Sequence, residues 1–221
     1  AFATEKDKTK VAIEDALVSE AGRCKYHAMA LTDHGNMHGS FEFYKACKEN
    51  DIKPIVGVEF YCARRTIHEP KNKTNPTDHL VILARNEAGY KNMLKLATRA
   101  SIEGFSYVPR IDCAMIYEHR EGLIGTSACL SGGINSCVIG EKFYNRSTKT
   151  YEYTDPSYKN ALEHANLLKN SFEPGCFYLE IQDHSTDTDM GLNECRMESQ
   201  KWMVDKQKLV VETALKISKE L

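Results

Sequence analysis

The sequence predicts an α/β fold with mainly parallel strands. Two observations carry that prediction. Short apolar runs alternate five times with longer segments of helical period along the 221 residues, which is how successive βα units read in a sequence. Three residues of metal-ligand type, His34, Glu59 and Cys129, fall at or near the C-terminal ends of such runs, where folds of parallel strands gather their chemistry.

Ile13, Ala16, Leu17 and Ala21 share one face of a first helix. Ala28, Met29, Ala30 and Leu31 form a short buried strand, and Gly35 lets the chain turn after Asp33 and His34. Residues Ser40 to Asn50 read as a helix with Phe43 and Cys47 on one side. Ile52 to Tyr61 is the next strand; Pro54 belongs near its start or on an edge, because proline donates nothing to a ladder. Residues 63–78, with Arg64, Arg65, Pro70, Lys71, Lys73 and Pro76, read as a polar surface loop. His79 to Ala84 is a third strand and Ala88 to Ile102 a helix. Gly122–Ala128 is a fourth strand, Ser131–Ile139 a short helix and 140–156 a polar, Tyr-rich loop. Tyr158, Leu162, Ala165 and Leu168 mark another helix, and Cys176–Ile181 is a fifth strand. Val210, Ala214, Ile217 and Leu221 set the face of a long closing helix.

One large domain over residues 1–221 is the natural reading. A chain of this size buries roughly 70–75% of its extended surface. Its formal charge of −2 gives no overall electrostatic drive toward DNA or anionic lipid. The eight cysteines form no C-x-x-C pair, and a secreted disulfide scaffold would be shorter and denser in cysteine, so a reducing cytoplasm is expected. The N-terminus carries no apolar signal core, and nothing suggests export or membrane insertion. The chain does not begin with Met and ends inside a helical pattern without a Gly or Pro stop, so a fragment of a longer protein is expected.

Imidazole, carboxylate and thiolate converging on one mouth suit a borderline ion such as zinc, with manganese or iron as alternatives. Such an ion lowers the pKa of a bound water toward ~7 and neutralises a phosphate oxygen, as phosphodiester hydrolysis requires. Each residue also has a plainer reading. A histidine after a strand serves as a turn or cap residue. Glu59 in an apolar strand could pair with a lysine, since a lone buried carboxylate is costly. Cys129 could be a small buried hydrophobe. His79 opens its strand, the wrong end for an all-parallel sheet; either that strand runs antiparallel to the one before it, or His79 is no ligand. Asp33 reads as an orienting residue. His27, His38, His68, His119 and His164 read as surface or packing residues, and Asp183-His184 is the reserve candidate. Arg64, Arg65, Lys71 and Lys73 read as solvated loop charge, with phosphate contact as the alternative.

The segment from Ala30 to Tyr61 (ALTDHGNMHGSFEFYKACKENDIKPIVGVEFY) closely resembles the N-terminal PHP (polymerase and histidinol phosphatase) domain of bacterial replicative DNA polymerase III alpha subunits. HLVILARNEAGYKNMLKLATRASIEGF, PRID, EGLIGTSACLSGGI and FYLEIQDH do so as well, in the family's order. The resemblance implies a distorted TIM-like β/α barrel whose strand ends hold up to three divalent ions (zinc, manganese or magnesium). It implies His34, Glu59, His79 and Cys129 as metal ligands. It further implies a parent DNA-directed polymerase acting on DNA with other replisome subunits. In that parent the PHP domain is either a metal-dependent 3′–5′ exonuclease or a non-catalytic platform that braces the polymerase and docks a proofreading subunit. A stand-alone PHP phosphatase is the third alternative. The family's opening H-x-H motif and its last Asn-Asp-x-His strand have no counterpart here, nor do the palm, fingers, thumb and clamp-binding regions. The expectation is therefore a barrel incomplete at both ends, with about half of the ligands and two unpaired strand edges, and a poor enzyme in isolation.

Overall fold

A six-stranded mixed sheet carries the fold in this computed structural model, which describes residues 13–72, 74–140, 142–145, 147–182 and 194–221. The elements run α1 (Ile13–Arg23), β1 (Ala28–His34), α2 (Ser40–Glu49), β2 (Lys53–Ala63), β3 (Thr77–Ala84), α3 (Glu87–Ile102), β4 (Arg110–Ile111), α4 (Cys113–Glu118), β5 (Leu123–Thr126), α5 (Gly133–Ile139), β6 (Lys142–Asn145), β7 (Thr150–Tyr153), α6 (Tyr158–Ser171), β8 (Phe177–Tyr178) and α7 (Glu194–Ile217). The sheet order is β1-β2-β3-β5-β8, with β4 beside β2, and a separate hairpin joins β6 to β7. The β1–β2, β2–β4 and β5–β8 pairs are parallel, whereas β3 is antiparallel to both β2 and β5. The fold is thus mixed α/β, with β3 alone reversed among the sheet's described strands.

The pleat of β2 divides the fold in two. Val58, Phe60 and Cys62 are almost fully buried on one face. Their partners across β3 are Ile82, Leu80 and Asp78, also buried. Met93, Leu96 and Ala100 of α3, Ile116 of α4, Ile134 of α5 and Ala161, Ala165 and Leu168 of α6 belong to this main core. A smaller cluster (Val18, Ala21, Phe43, Ala46, Cys47 and Ile52) packs α1 and α2 against the start of the sheet. The opposite face of β2 presents Glu59 and Tyr61.

The sequence did not mark several of these elements. β2 runs on to Ala63 and β3 begins at Thr77, so the loop covers only residues 64–76. Asn75, fully buried, holds that loop by donating to Thr66 O (2.8 Å) and accepting from Arg65 N (2.9 Å). Strand β4 and helix α4 fall in a stretch without an assigned element; Asp112 caps α4 by accepting from Met115 N at 3.0 Å. The Tyr-rich segment forms the β6–β7 hairpin, in keeping with the strand preference of aromatic residues. The closing helix buries Val210, Ala214 and Ile217 as its period requires.

Behind β3 lies a buried ionic group. Arg64 grips Asp78 with Nε to Oδ2 at 2.9 Å and Nη2 to Oδ1 at 2.5 Å, and Nη2 also reaches Ser136 Oγ at 2.9 Å. His164 of α6 places Nε2 3.8 Å from Asp78 Oδ2. A Cβ on Gly133 would stand 2.3 Å from that nitrogen and 2.5 Å from that oxygen, so the group closes only around a glycine. Burial pushes the His164 imidazole below its ordinary range, against the pull of the Asp78 carboxylate and with a further downward push from Arg64.

Two expected outcomes follow from this packing. A Cβ on Gly89, in the first turn of α3, would lie 1.9 Å from the backbone oxygen of Gly122. Gly→Ala in a helix ordinarily gains up to about 1 kcal/mol; here Gly89→Ala lowers stability by about 3 kcal/mol, read as a fall in the urea midpoint. The His164 imidazole stays neutral in the fold, whereas the unfolded chain binds a proton below about pH 6.5. The contribution is therefore complete above that pH and is lost as pH falls toward the lowered folded value. Unfolding free energy drops on acidification through this window, and drops less steeply in His164→Gln.

Candidate metal centre

Two strand registers assemble the site. The last β1–β2 pair sets His34 beside Glu59, and the β2–β3 ladder sets His79 opposite Tyr61. Because Glu59 and Tyr61 are two residues apart, they share a face. One carboxylate and two imidazoles therefore converge where β1 ends. Gly35 makes the turn that follows, at φ +68°, donating its N–H to Glu59 O at 3.0 Å. A side chain there would also crowd Pro109 and the Tyr61 ring, at 3.1 and 3.3 Å. Asn36 steadies the turn by donating to His34 O and accepting from His38 N, both at 3.0 Å.

The ligand atoms of His34, Glu59 and His79 all lie within 4.8 Å of one another. His79 Nδ1 meets Glu59 Oε1 at 2.6 Å, and His34 Nδ1 stands 3.6 Å from Glu59 Oε2. Donor atoms about 2.1 Å from a shared four-coordinate ion sit roughly 3.4 Å apart. The His34–Glu59 spacing matches that scale, whereas the shorter His79–Glu59 contact is a hydrogen bond. The donor set is also right for a borderline divalent ion. The side chain of His34 is 57% exposed, against 19% for Glu59 and 25% for His79. The centre therefore opens to solvent on the His34 side.

Cys129 approaches from the far side of β3. Ala128 turns the chain at φ +56°, and the loop returns to β3 through the His79 N–H, which donates to Ser131 O at 3.0 Å. Asn135 pins the turn by donating to Cys129 O at 2.8 Å. The Cys129 Sγ lies 3.7 Å from His79 Nδ1 and accepts from Ser131 N at 3.4 Å. Burial opposes the thiolate, but those two donors outweigh it and the thiol's pKa falls below its ordinary value. The same contact with Cys129 raises the His79 pKa against the effect of burial, helped by the Glu59 carboxylate. The two shifts are reciprocal: each group favours the charged form of the other.

The reversal of β3 removes the geometric objection to His79: its N-terminal end lies at the same mouth as the C-terminal ends of β1 and β2. Glu59 pairs with histidines rather than with a lysine. Tyr61 is a neighbour that the sequence reading passed over. It stacks on His34 (centroids 6.0 Å apart, 18°) and meets His79 edge-on at 5.5 Å. Its two-residue spacing from Glu59 was the available signal. Arg64 is committed to Asp78, Arg65 lies 3.6 Å from Glu69, and Lys71 is exposed. Lys73, Asp183 and His184 lie outside the described residues. A cavity of about 550 Å³ between α2 and α3, lined by Phe41, Tyr44, Arg85 and Tyr90 among others, shares no residue with this centre.

Comparison with known proteins identifies the family. The family model of the PHP domain matches residues 9–184. The DNA polymerase III subunit alpha of Chlamydia trachomatis is 36% identical over 209 residues, covering 92% of this chain and 16% of that protein. Its Aquifex aeolicus namesake is 45% identical over 175 residues, 76% of this chain and 14% of that protein. The chain thus spans about one sixth or less of the length of these relatives. A crystal structure of a candidate metal-dependent phosphoesterase from Bifidobacterium adolescentis matches with a TM-score of 0.45 and 11% identity, over 90% of this chain and 79% of that one. The fold is mixed α/β, consistent with the TIM-like PHP architecture, and the chain belongs to the PHP domain family.

Proposed function

We propose that this chain is the PHP module of a bacterial replicative DNA polymerase alpha subunit, and that its centre serves metal-dependent phosphodiester cleavage of the 3′–5′ exonuclease kind. The meeting of His34, Glu59 and His79 at one strand-end mouth, with Cys129 beside His79, carries the reading. The similarity to polymerase III alpha subunits over most of the chain supports the parent's identity. In the proposed site His34, Glu59, His79 and Cys129 hold a divalent ion such as zinc or manganese. Such an ion supplies Lewis acidity toward a phosphate oxygen and a water acidified toward neutral pH. The chain's own part is to fix the donors. Glu59 spans both imidazoles, Tyr61 packs against both rings, and the Gly35 turn leaves the His34 side open to a substrate.

A second reading has its own support. Glu59 and Cys129 both reach His79 Nδ1, at 2.6 and 3.7 Å, without an ion, as they would in a non-catalytic platform that braces the polymerase and docks a proofreading subunit. DNA and the other replisome subunits are then the partners in either case. Among the described residues no helix is long and apolar enough to cross a membrane.

Two measurements separate the readings. Added zinc or manganese raises the melting temperature of the chain, by about 2.7 kcal/mol of stability at a hundredfold excess over Kd. A chelator reverses the gain, and Glu59→Ala abolishes it; an unchanged melting curve in all cases leaves the platform. In the parent-length protein, His34→Ala or Glu59→Ala lowers 3′ trimming of a mismatched primer by about a hundredfold or more. Undiminished trimming in both variants would exclude this centre from the chemistry.

A further inference from the structure

We infer that the two loops beside the metal centre form a stacking rim for the single-stranded end of a nucleic acid, with bases laid on Phe105 and Tyr107. This inference rests on the phosphodiester reading of the centre. Tyr107 is 86% exposed, Phe105 64% and the neighbouring Ile102 77%, so these side chains contribute little to the core. Tyr107 also occupies the left-handed region at φ +65°. A bulky residue pays strain there, and such strain persists where surrounding structure fixes it, often at binding sites.

The surroundings do fix it. Arg110 is 1% exposed, and its hydrogen bonds go to carbonyls. It donates from Nε to Gly104 O at 3.0 Å and from Nη2 to Ile67 O and Glu69 O at 3.0 and 2.9 Å, while among the described residues its buried Nη1 has no partner. One buried guanidinium therefore ties the loop carrying Phe105 and Tyr107 to the loop 64–76. A second tie is the bond from the Lys71 backbone N–H to Ser106 Oγ at 3.2 Å, which fixes the residue between the two aromatics. The loops abut the centre because β4 takes over the edge of β2 where β1 leaves it, and Pro109 packs at Gly35, next to His34.

Exposed aromatic side chains on a loop fixed beside a phosphodiester site suit stacked bases. Stacking tolerates any base, so the rim serves a strand end irrespective of sequence.

The test uses the 221-residue chain with metal removed by chelator. A fluorescent oligo(dT) of about eight nucleotides is titrated by anisotropy. Phe105→Ala with Tyr107→Ala weakens binding by about tenfold or more, while bound metal per chain, measured after reloading, is unchanged. Tyr107→Gly relieves the backbone strain and so raises the melting temperature while lowering oligonucleotide affinity. Equal binding by wild type and the double variant, or no binding by wild type, overturns the rim; it then leaves the centre untouched, because the metal count reads that separately. His34→Ala that loses metal yet keeps aromatic-dependent binding supports the rim. Failure of the wild-type chain to take up metal removes the phosphodiester reading alone.

Discussion

The site depends on strand β2 having two unlike neighbours. A parallel partner on one side and an antiparallel one on the other bring the end of β1 and the beginning of β3 to the same height on β2. Only then can a residue that closes one strand and a residue that opens another flank a single carboxylate. Among its described residues the loop between β2 and β3 contains no helix, and a parallel return would need a crossover. A connection without a crossover returns the chain antiparallel, as β3 runs. A one-residue slip of β2 would turn Glu59 toward the core, where a lone carboxylate is costly, and would turn the buried Val58 and Phe60 out to the mouth.

The same pleat separates two groups of titratable residues by the thickness of one backbone. His79 faces the open mouth while Asp78, its chain neighbour, faces Arg64, Ser136 and His164 under the helices. The buried group anchors β3 from behind, so the open side can remain solvent-accessible without loosening the strand. The charge arrangement differs accordingly: a guanidinium meets a carboxylate in the interior, and imidazoles with a thiol line the mouth.

Much of this was legible in the sequence for physical reasons. The Asp33-His34-Gly35-Asn36 turn, the apolar run ending near Glu59 and the bend at Cys129 all carry strong local signals. Helical period located α3, α6 and the buried face of α7. Elements too short to show a period escaped: β4 spans two residues, and its existence depends on pairing with β2 rather than on its own composition. The direction of β3 is a tertiary fact, so periodicity could pose the alternatives for His79 but not choose between them. Tyr61 looked like an ordinary strand aromatic, and its contact with both histidines follows from register alone. Arg110 read as part of a motif, since nothing local says that a surface-type residue will be buried to hold carbonyls.

The seam between Gly89 and Gly122 has a consequence for the chain's history. A methyl on Gly89 would meet the Gly122 backbone, and one on Gly122 would meet both Asn86 Oδ1 and the Gly89 backbone. Neither glycine has a side chain that could be shortened to relieve the other, unlike a crowded contact between two large residues. A recombinant that took the first turn of α3 from one homologue and the turn before β5 from another would keep the seam only if both glycines were inherited together.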